Sequence, residues 1–197
     1  TYRVLGVKST PGHLRGRAGL SSPLVGRDAQ LAFLQDRMKD LERGLGSIVA
    51  VMGEAGLGKS TLIAELKKSQ DGSSVQWLRG DALSYARSIS YFPWRQIIRQ
   101  SIDARKGDSP AEVRHKLSYV CDCCTLPGGD IPFLEAMLAV ESEASLQIVM
   151  GYQGEALVQR MVDATRGFLC GLAVEKPLAF VFDDLHWADE ASLNLLL

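Results

Sequence analysis

The sequence lacks any apolar run approaching the roughly 20 residues of a membrane-spanning helix, and its N-terminus does not read as a secretory signal. It has almost no imbalance of charge: 22 Lys and Arg stand against 23 Asp and Glu, a net charge of −1. No global basic field is available to hold DNA or RNA, which argues against nucleic acid as a partner. Cysteine is scarce, with four residues in 197, too few to staple a chain of this size into a disulfide framework. A reducing, cytoplasmic setting is the expectation, with no membrane partner. Internal repeats and low-complexity tracts are missing as well. Acidic residues are absent from positions 1–27, where Arg3, Lys8, Arg15, Arg17 and Arg27 lie among Pro11, Gly12, Gly16, Gly19 and Pro23. Such a stretch has little capacity to form a core, and residues 1–23 are expected to be a linker.

The rest is ordinary for a globular domain: 46% hydrophobic and 23% charged residues, enough to bury a core. Leu31, Leu34, Met38 and Leu41 recur at helical spacing, and Gly44 and Gly46 close that helix. Ile48 to Met52 is a short unbroken apolar run, the pattern of a buried strand. A glycine-rich turn follows. Leu62, Ile63 and Leu66 then predict a helix to about Lys68, and Val75 to Leu78 a second strand. Residues 93–173 read mostly as helix. Pro93 suits a first helical turn with Trp94, Ile97, Ile98 and Ile102 as its apolar face, Pro110 opens another helix, and Leu157, Met161, Ala164, Phe168 and Leu172 form a stripe. Pro177 breaks the pattern, and Leu178 to Phe182 is a third strand-like run ending in Asp183 and Asp184. The chain starts at Thr1 without a methionine and stops inside the apolar run from Ala191 to Leu197, so a fragment of a longer protein is expected. Strands alternating with helices predict an α/β fold with a parallel sheet, its site at the C-terminal strand ends.

The segment Gly53-Glu54-Ala55-Gly56-Leu57-Gly58-Lys59-Ser60 fits the phosphate-loop pattern G-x-x-x-x-G-K-[ST] in its proper place, after an apolar strand and before a helix. Its glycines let backbone N–H groups turn inward around phosphate oxygens, and the positive end of the new helix faces the same anion. Lys59 reaches the terminal phosphates, and the Ser60 hydroxyl is a ligand for Mg²⁺. An apolar strand ending in acid is the usual partner of such a loop: Asp183 would hold Mg²⁺ through water, leaving Asp184 to orient or deprotonate the attacking water. Adjacent side chains on a straight strand point to opposite faces. The strand must therefore end or twist at Asp183, with the bend expected over Leu185 to Trp187. Glu54 is the next candidate base.

The order Pro23-Leu24-Val25-Gly26-Arg27-Asp28, then Gly53 to Thr61, then Asp183-Asp184-Leu185-His186-Trp187-Ala188-Asp189 resembles the AAA-like ATPase module of the STAND signalling class. The likeness is closest to the version fused behind class III adenylate/guanylate cyclases, and Tyr2-Arg3-Val4-Leu5-Gly6 looks like the exit of such a cyclase domain. The resemblance implies a P-loop three-layer sandwich with a helical insertion, residues 24–197 being its N-terminal part. It implies ATP and Mg²⁺ as ligands, and domains of the same parent chain as partners. Val25, Gly26 and Arg27 would lie near adenine and ribose, Gly53 to Thr61 around the phosphates, Ser60 and Asp183 at the metal, and Lys59 and Asp184 in catalysis. The sensor strand, later arginine and helical lid of the family would lie beyond Leu197.

Other functions remain open on the residues alone. The module could instead belong to a large transcriptional regulator, or hold ATP structurally with little hydrolysis, or be a phosphotransferase; the Asp183-Asp184 pair favours hydrolysis over the last. Guanine specificity lacks its N-K-x-D motif. Cys121, Cys123, Cys124 and Cys170 do not give the two separated ligand pairs of structural zinc and read as reduced thiols. His186 and Trp187 read as packing after the strand. No nucleophile elbow accompanies Ser192. Tyr85, Tyr91, Phe92 and Trp94 read as core aromatics rather than a partner surface.

Overall fold

The computed structural model describes residues 26–196; the expected linker over residues 1–23, and Val25, lie outside the described residues. The described residues divide into two compact units, one up to Ser73 and the other from Ser74.

In the first unit, helix α1 (Asp28–Glu42) and helix α2 (Lys59–Ser69) pack on each other. Of the predicted stripes, Leu34 and Met38 of α1 and Leu62 and Leu66 of α2 are buried, and Leu31, Leu41 and Ile63 are half-buried. The chain leaves α1 through Arg43 and Gly44, the latter at φ +83°, so the glycine stop operates as expected.

The strand expected from Ile48 to Met52 is not formed. The segment has no regular secondary structure, and Ile48 and Met52 are 86% and 89% exposed. An apolar run becomes a strand only when its N–H and C=O groups find a neighbouring strand to pair with. Among the described residues of the first unit there is none.

The second unit is built around two parallel strands, β1 (Gln76–Asp81) and β2 (Leu178–Asp183), in continuous register from Gln76 opposite Leu178 to Asp81 opposite Asp183. Between them in sequence runs the predicted helical block: α3 (Phe92–Ser101), α4 (Pro110–Cys123), α5 (Ile131–Leu138), α6 (Glu143–Met150) and α7 (Glu155–Glu175). Local chemistry sets the boundaries. Ser109 caps α4 in a reciprocal capping box with Glu112, with Pro110 in the first turn, where its missing N–H costs nothing. The backbone and hydroxyl bonds from Ser109 hold the Glu112 carboxyl below its usual range. Helix α5 is apolar nearly all round, and Pro132, Phe133, Leu134, Met137 and Leu138 are all buried, as the central helix of a block must be. Phe168 of α7, Leu117 of α4, and Ile97 and Ile98 of α3 complete the same core.

Helix α3 lies against β1 closely enough to dictate sequence. A Cβ on Gly80 would stand 2.7 Å from the Pro93 carbonyl oxygen, so only glycine permits this approach. Trp94 packs edge-on against Phe182 of β2, with ring centroids 4.8 Å apart, and its indole N–H donates to the Ser192 carbonyl at 3.0 Å in the short helix α8 (Glu190–Leu196). Tyr91 and Trp94 are thus core residues, whereas Tyr85 is exposed. Among the described residues no helix is long and apolar enough to cross a membrane.

Candidate nucleotide site

In the first unit the loop from Gly53 to Gly58 delivers the chain to the start of α2. Gly56 and Gly58 take φ values of +85° and +75°, and Gly58 is the residue before the helix. These left-handed positions fold the loop back on itself, which residues with a Cβ do only at a cost. No side chain caps α2, and its first backbone bond runs from the Leu62 N–H to the Gly58 carbonyl at 2.9 Å. The N–H groups of Lys59, Ser60 and Thr61 therefore have no helical partner. An uncapped N-terminus carrying three such donors has the chemistry to receive an anion.

The Lys59 ammonium sits over this loop. It donates to the Gly53 carbonyl at 2.8 Å and to the Glu54 carbonyl at 2.9 Å, so the cation is held across the mouth of the turn by backbone rather than by an acid. The Ser60 hydroxyl, in the first helical turn, is exposed, as are Glu54 and Ala55. Arg27 clamps the loop from the start of α1: its guanidinium donates to the Leu57 carbonyl. Beside it opens a cleft of about 700 Å³, lined by Gly26, Arg27, Phe33, Val51, Met52 and Leu62 among others.

In the second unit, Asp183 ends β2. Its Oδ2 accepts from the Arg79 guanidinium at 2.9 Å and its Oδ1 from the Asp184 backbone N–H at 3.0 Å. Arg79 also donates through Nε to Asp81 Oδ1 at 2.7 Å. Arg79 and Asp81 are two apart on β1 and share a face, and Asp81 is the register partner of Asp183. One guanidinium thus bridges two carboxylates on neighbouring strand ends.

The far edge of β1 is held by side chains. The Gln100 amide donates to the Arg79 carbonyl at 2.5 Å and its oxygen accepts from the Arg79 N–H at 3.1 Å; Gln96 does the same for Asp81 at 2.8 and 3.4 Å. These two glutamines, one turn apart on α3, replace a third strand and fix the backbone that carries Arg79 and Asp81.

Asp184 is left-handed, at φ 54° and ψ 39°, and Leu185–Trp187 form a single 3₁₀ turn. The strand does end at Asp183 as expected. The bend does run over Leu185 to Trp187, and it is started by Asp184, because aspartate is among the residues that tolerate the left-handed conformation without glycine. His186 and Trp187 are exposed, with ring centroids 5.0 Å apart. Asp189 ties the start of α8 to the start of α3: its Oδ1 accepts from the Ser192 N–H at 2.9 Å and from the Tyr91 N–H at 3.1 Å.

The structure therefore brings Arg27, Gly53, Glu54, Leu57 and Lys59 together in one unit, and Asp183 with Asp184 in the other. Sequence reasoning missed Arg79, Asp81, Gln96, Gln100 and Asp189. The signal available for the first pair was a cation and an anion two residues apart on one face of a strand otherwise headed for burial. Among the described residues no three His, Cys, Asp or Glu side chains gather into a metal-binding group. Cys121 is buried, which pushes its thiol up to about 12.

Residues 23–197 match the family model described as an AAA ATPase domain. No curated protein and no solved structure matches the chain.

Proposed function

The chain belongs to the AAA ATPase domain family, and from that premise we propose that it binds ATP with Mg²⁺ and hydrolyses it as a regulatory switch module of a multidomain signalling protein. The observation that carries this reading is the turn from Gly53 to Ser60: left-handed glycines lead into a helix start that no side chain caps, and the Lys59 ammonium lies against the Gly53 and Glu54 carbonyls. Lys59 supplies a full positive charge to the terminal phosphates. Gly53 to Thr61 wrap them with backbone donors. Gly26 and Arg27, at the rim of an apolar cleft, are assigned with Val25 to the adenosine end.

Ser60 and Asp183 are the residues assigned to Mg²⁺ on the chemistry of their donors. Ser60 offers a hydroxyl and Asp183 a carboxylate, both hard oxygen ligands, and Mg²⁺ takes few protein ligands while keeping its waters. When bound, the ion would neutralise charge on the phosphates. Asp184 is assigned as the base that orients and deprotonates the attacking water. Asp184 leaves the strand through a left-handed backbone conformation, so the alternation of a straight strand does not govern the direction of its carboxylate.

The switch role follows from the same chemistry: binding and loss of a γ-phosphate changes the charge held by the loop, and attached domains of the parent chain would read the change. A cyclase domain upstream is the partner suggested by the run from Tyr2 to Gly6. A P-loop three-layer sandwich, a cytoplasmic setting, and the absence of nucleic-acid or membrane partners for this module belong to the same proposal.

A second reading, ATP held with little turnover, draws on one observation: both Asp183 oxygens are already engaged, by Arg79 and by the Asp184 N–H. Phosphate release from ATP by the purified protein, with Lys59→Ala as the blank, separates the two. Turnover above the blank supports the switch; tight ATP binding with turnover equal to the blank supports the second reading; no ATP binding rejects both.

A further inference from the structure

We propose that Arg79 is a positioning residue for Asp183, which ties its carboxylate to Asp81 on the neighbouring strand and sets how readily Asp183 takes Mg²⁺. The inference rests on the reading of Asp183 as the metal residue. Three observations carry it. The guanidinium donates to both carboxylates at once, at 2.7 and 2.9 Å, a forked contact that only arginine makes. The two acids are register partners at the C-terminal ends of parallel strands, so without the cation they would stand as like charges side by side. The backbone beneath Arg79 and Asp81 is clamped by Gln100 and Gln96, which holds the bridge in place independently of the metal.

The consequence is a competition. Arg79 and Mg²⁺ are both cations drawn to the Asp183 carboxylate. With Arg79 present, the three side chains carry one cation and two anions, an excess of one negative charge. Loss of Arg79 leaves an excess of two, loss of Asp81 leaves none, and loss of both restores one. All three side chains are about one-third exposed or slightly less, with Arg79 at 31%, Asp81 at 27% and Asp183 at 34%, so each unit of charge acts through largely water-like screening. The expected change in Mg²⁺ affinity is on the order of tenfold per charge.

The experiment is ATP binding by calorimetry across a Mg²⁺ series, with thermal midpoints recorded for every protein. Arg79→Met should need about tenfold less Mg²⁺ for half-maximal enhancement, Asp81→Asn about tenfold more, and the double variant should return close to wild type. Arg79→Lys keeps the charge without the fork and should also stay close to wild type. If Arg79→Met does not fold, the Asp81→Asn and Arg79→Lys arms still decide. Midpoints that are equal in all variants, or that follow thermal stability instead of charge, overturn the proposal and leave the metal role of Asp183 standing. Wild-type ATP binding that is indifferent to Mg²⁺ overturns that role and the proposal together.

Discussion

The backbone N–H of Asp184 donates to the carboxylate of Asp183 at 3.0 Å, and the same residue makes the left-handed turn that ends β2. Two adjacent acids thereby have different surroundings. Asp183 ends the strand, held by an arginine and a backbone donor, and Asp184 starts the turn that follows. The proposed division of labour assigns the metal to Asp183 and the attacking water to Asp184.

Asp184→Asn tests that division. Asparagine tolerates the left-handed region as well as aspartate does, so the turn should survive and only the carboxylate proposed as base is removed. ATP and Mg²⁺ affinity should hold, while turnover falls by about 10²- to 10⁴-fold. Near-normal turnover, measured by phosphate release, moves the base elsewhere, with Glu54 next. Joint loss of binding and turnover makes Asp184 structural.

Lys59→Ala removes the cation that spans the loop between the Gly53 and Glu54 carbonyls. ATP affinity by calorimetry should fall by about ten- to a hundredfold, the range of one charge-assisted contact. Lys59→Arg should also bind less tightly, because a planar guanidinium does not replace a compact ammonium seated between two carbonyls. Wild-type affinity in Lys59→Ala would remove the loop from the nucleotide.

Gly80→Ala asks whether the close approach of α3 to β1 is required. The new methyl would meet backbone, the Pro93 carbonyl at 2.7 Å, and not a side chain that can swing away. A loss of about 1–3 kcal/mol is expected in denaturant unfolding, together with disturbance of Arg79 and Asp81 on either side. An unchanged midpoint would show that α3 can shift without cost.

Cysteine alkylation reads burial directly. Cys123 and Cys170 are exposed and should be labelled by iodoacetamide in the native protein, whereas Cys121 is buried with its thiol pushed up to about 12. At pH 8 its thiolate would be outnumbered by roughly ten-thousandfold, and the thiolate is the reactive form. Mass spectrometry should find Cys121 modified only after denaturation. Native labelling at Cys121 would contradict the packing of α4.

The features legible in the sequence were local. The glycine-rich turn into α2, the Pro110 start of α4, and the stripes of α1 and α7 each depend on residues within a turn or two, and they appear where expected. The misses involve partners far along the chain. The run from Ile48 to Met52 has strand composition, yet strand formation needs a neighbour that the run itself does not encode. The Arg79–Asp183 pair joins positions 104 apart in sequence, and nothing in either local pattern announces the other. Asp184 falls between: the bend over Leu185 to Trp187 was legible from the alternation of a strand, but the left-handed residue that starts it was not.

The most direct measurement of the central claim, that this chain binds ATP together with Mg²⁺ through Lys59, Ser60 and Asp183, is calorimetric titration of ATP in Mg²⁺ and in chelator, for wild type and Asp183→Asn. Wild type should bind ATP more tightly with Mg²⁺, and Asp183→Asn should lose affinity in Mg²⁺ while matching wild type in chelator. Failure of the wild type to bind ATP, or a mutant-to-wild-type ratio that is the same in both conditions, would contradict the account.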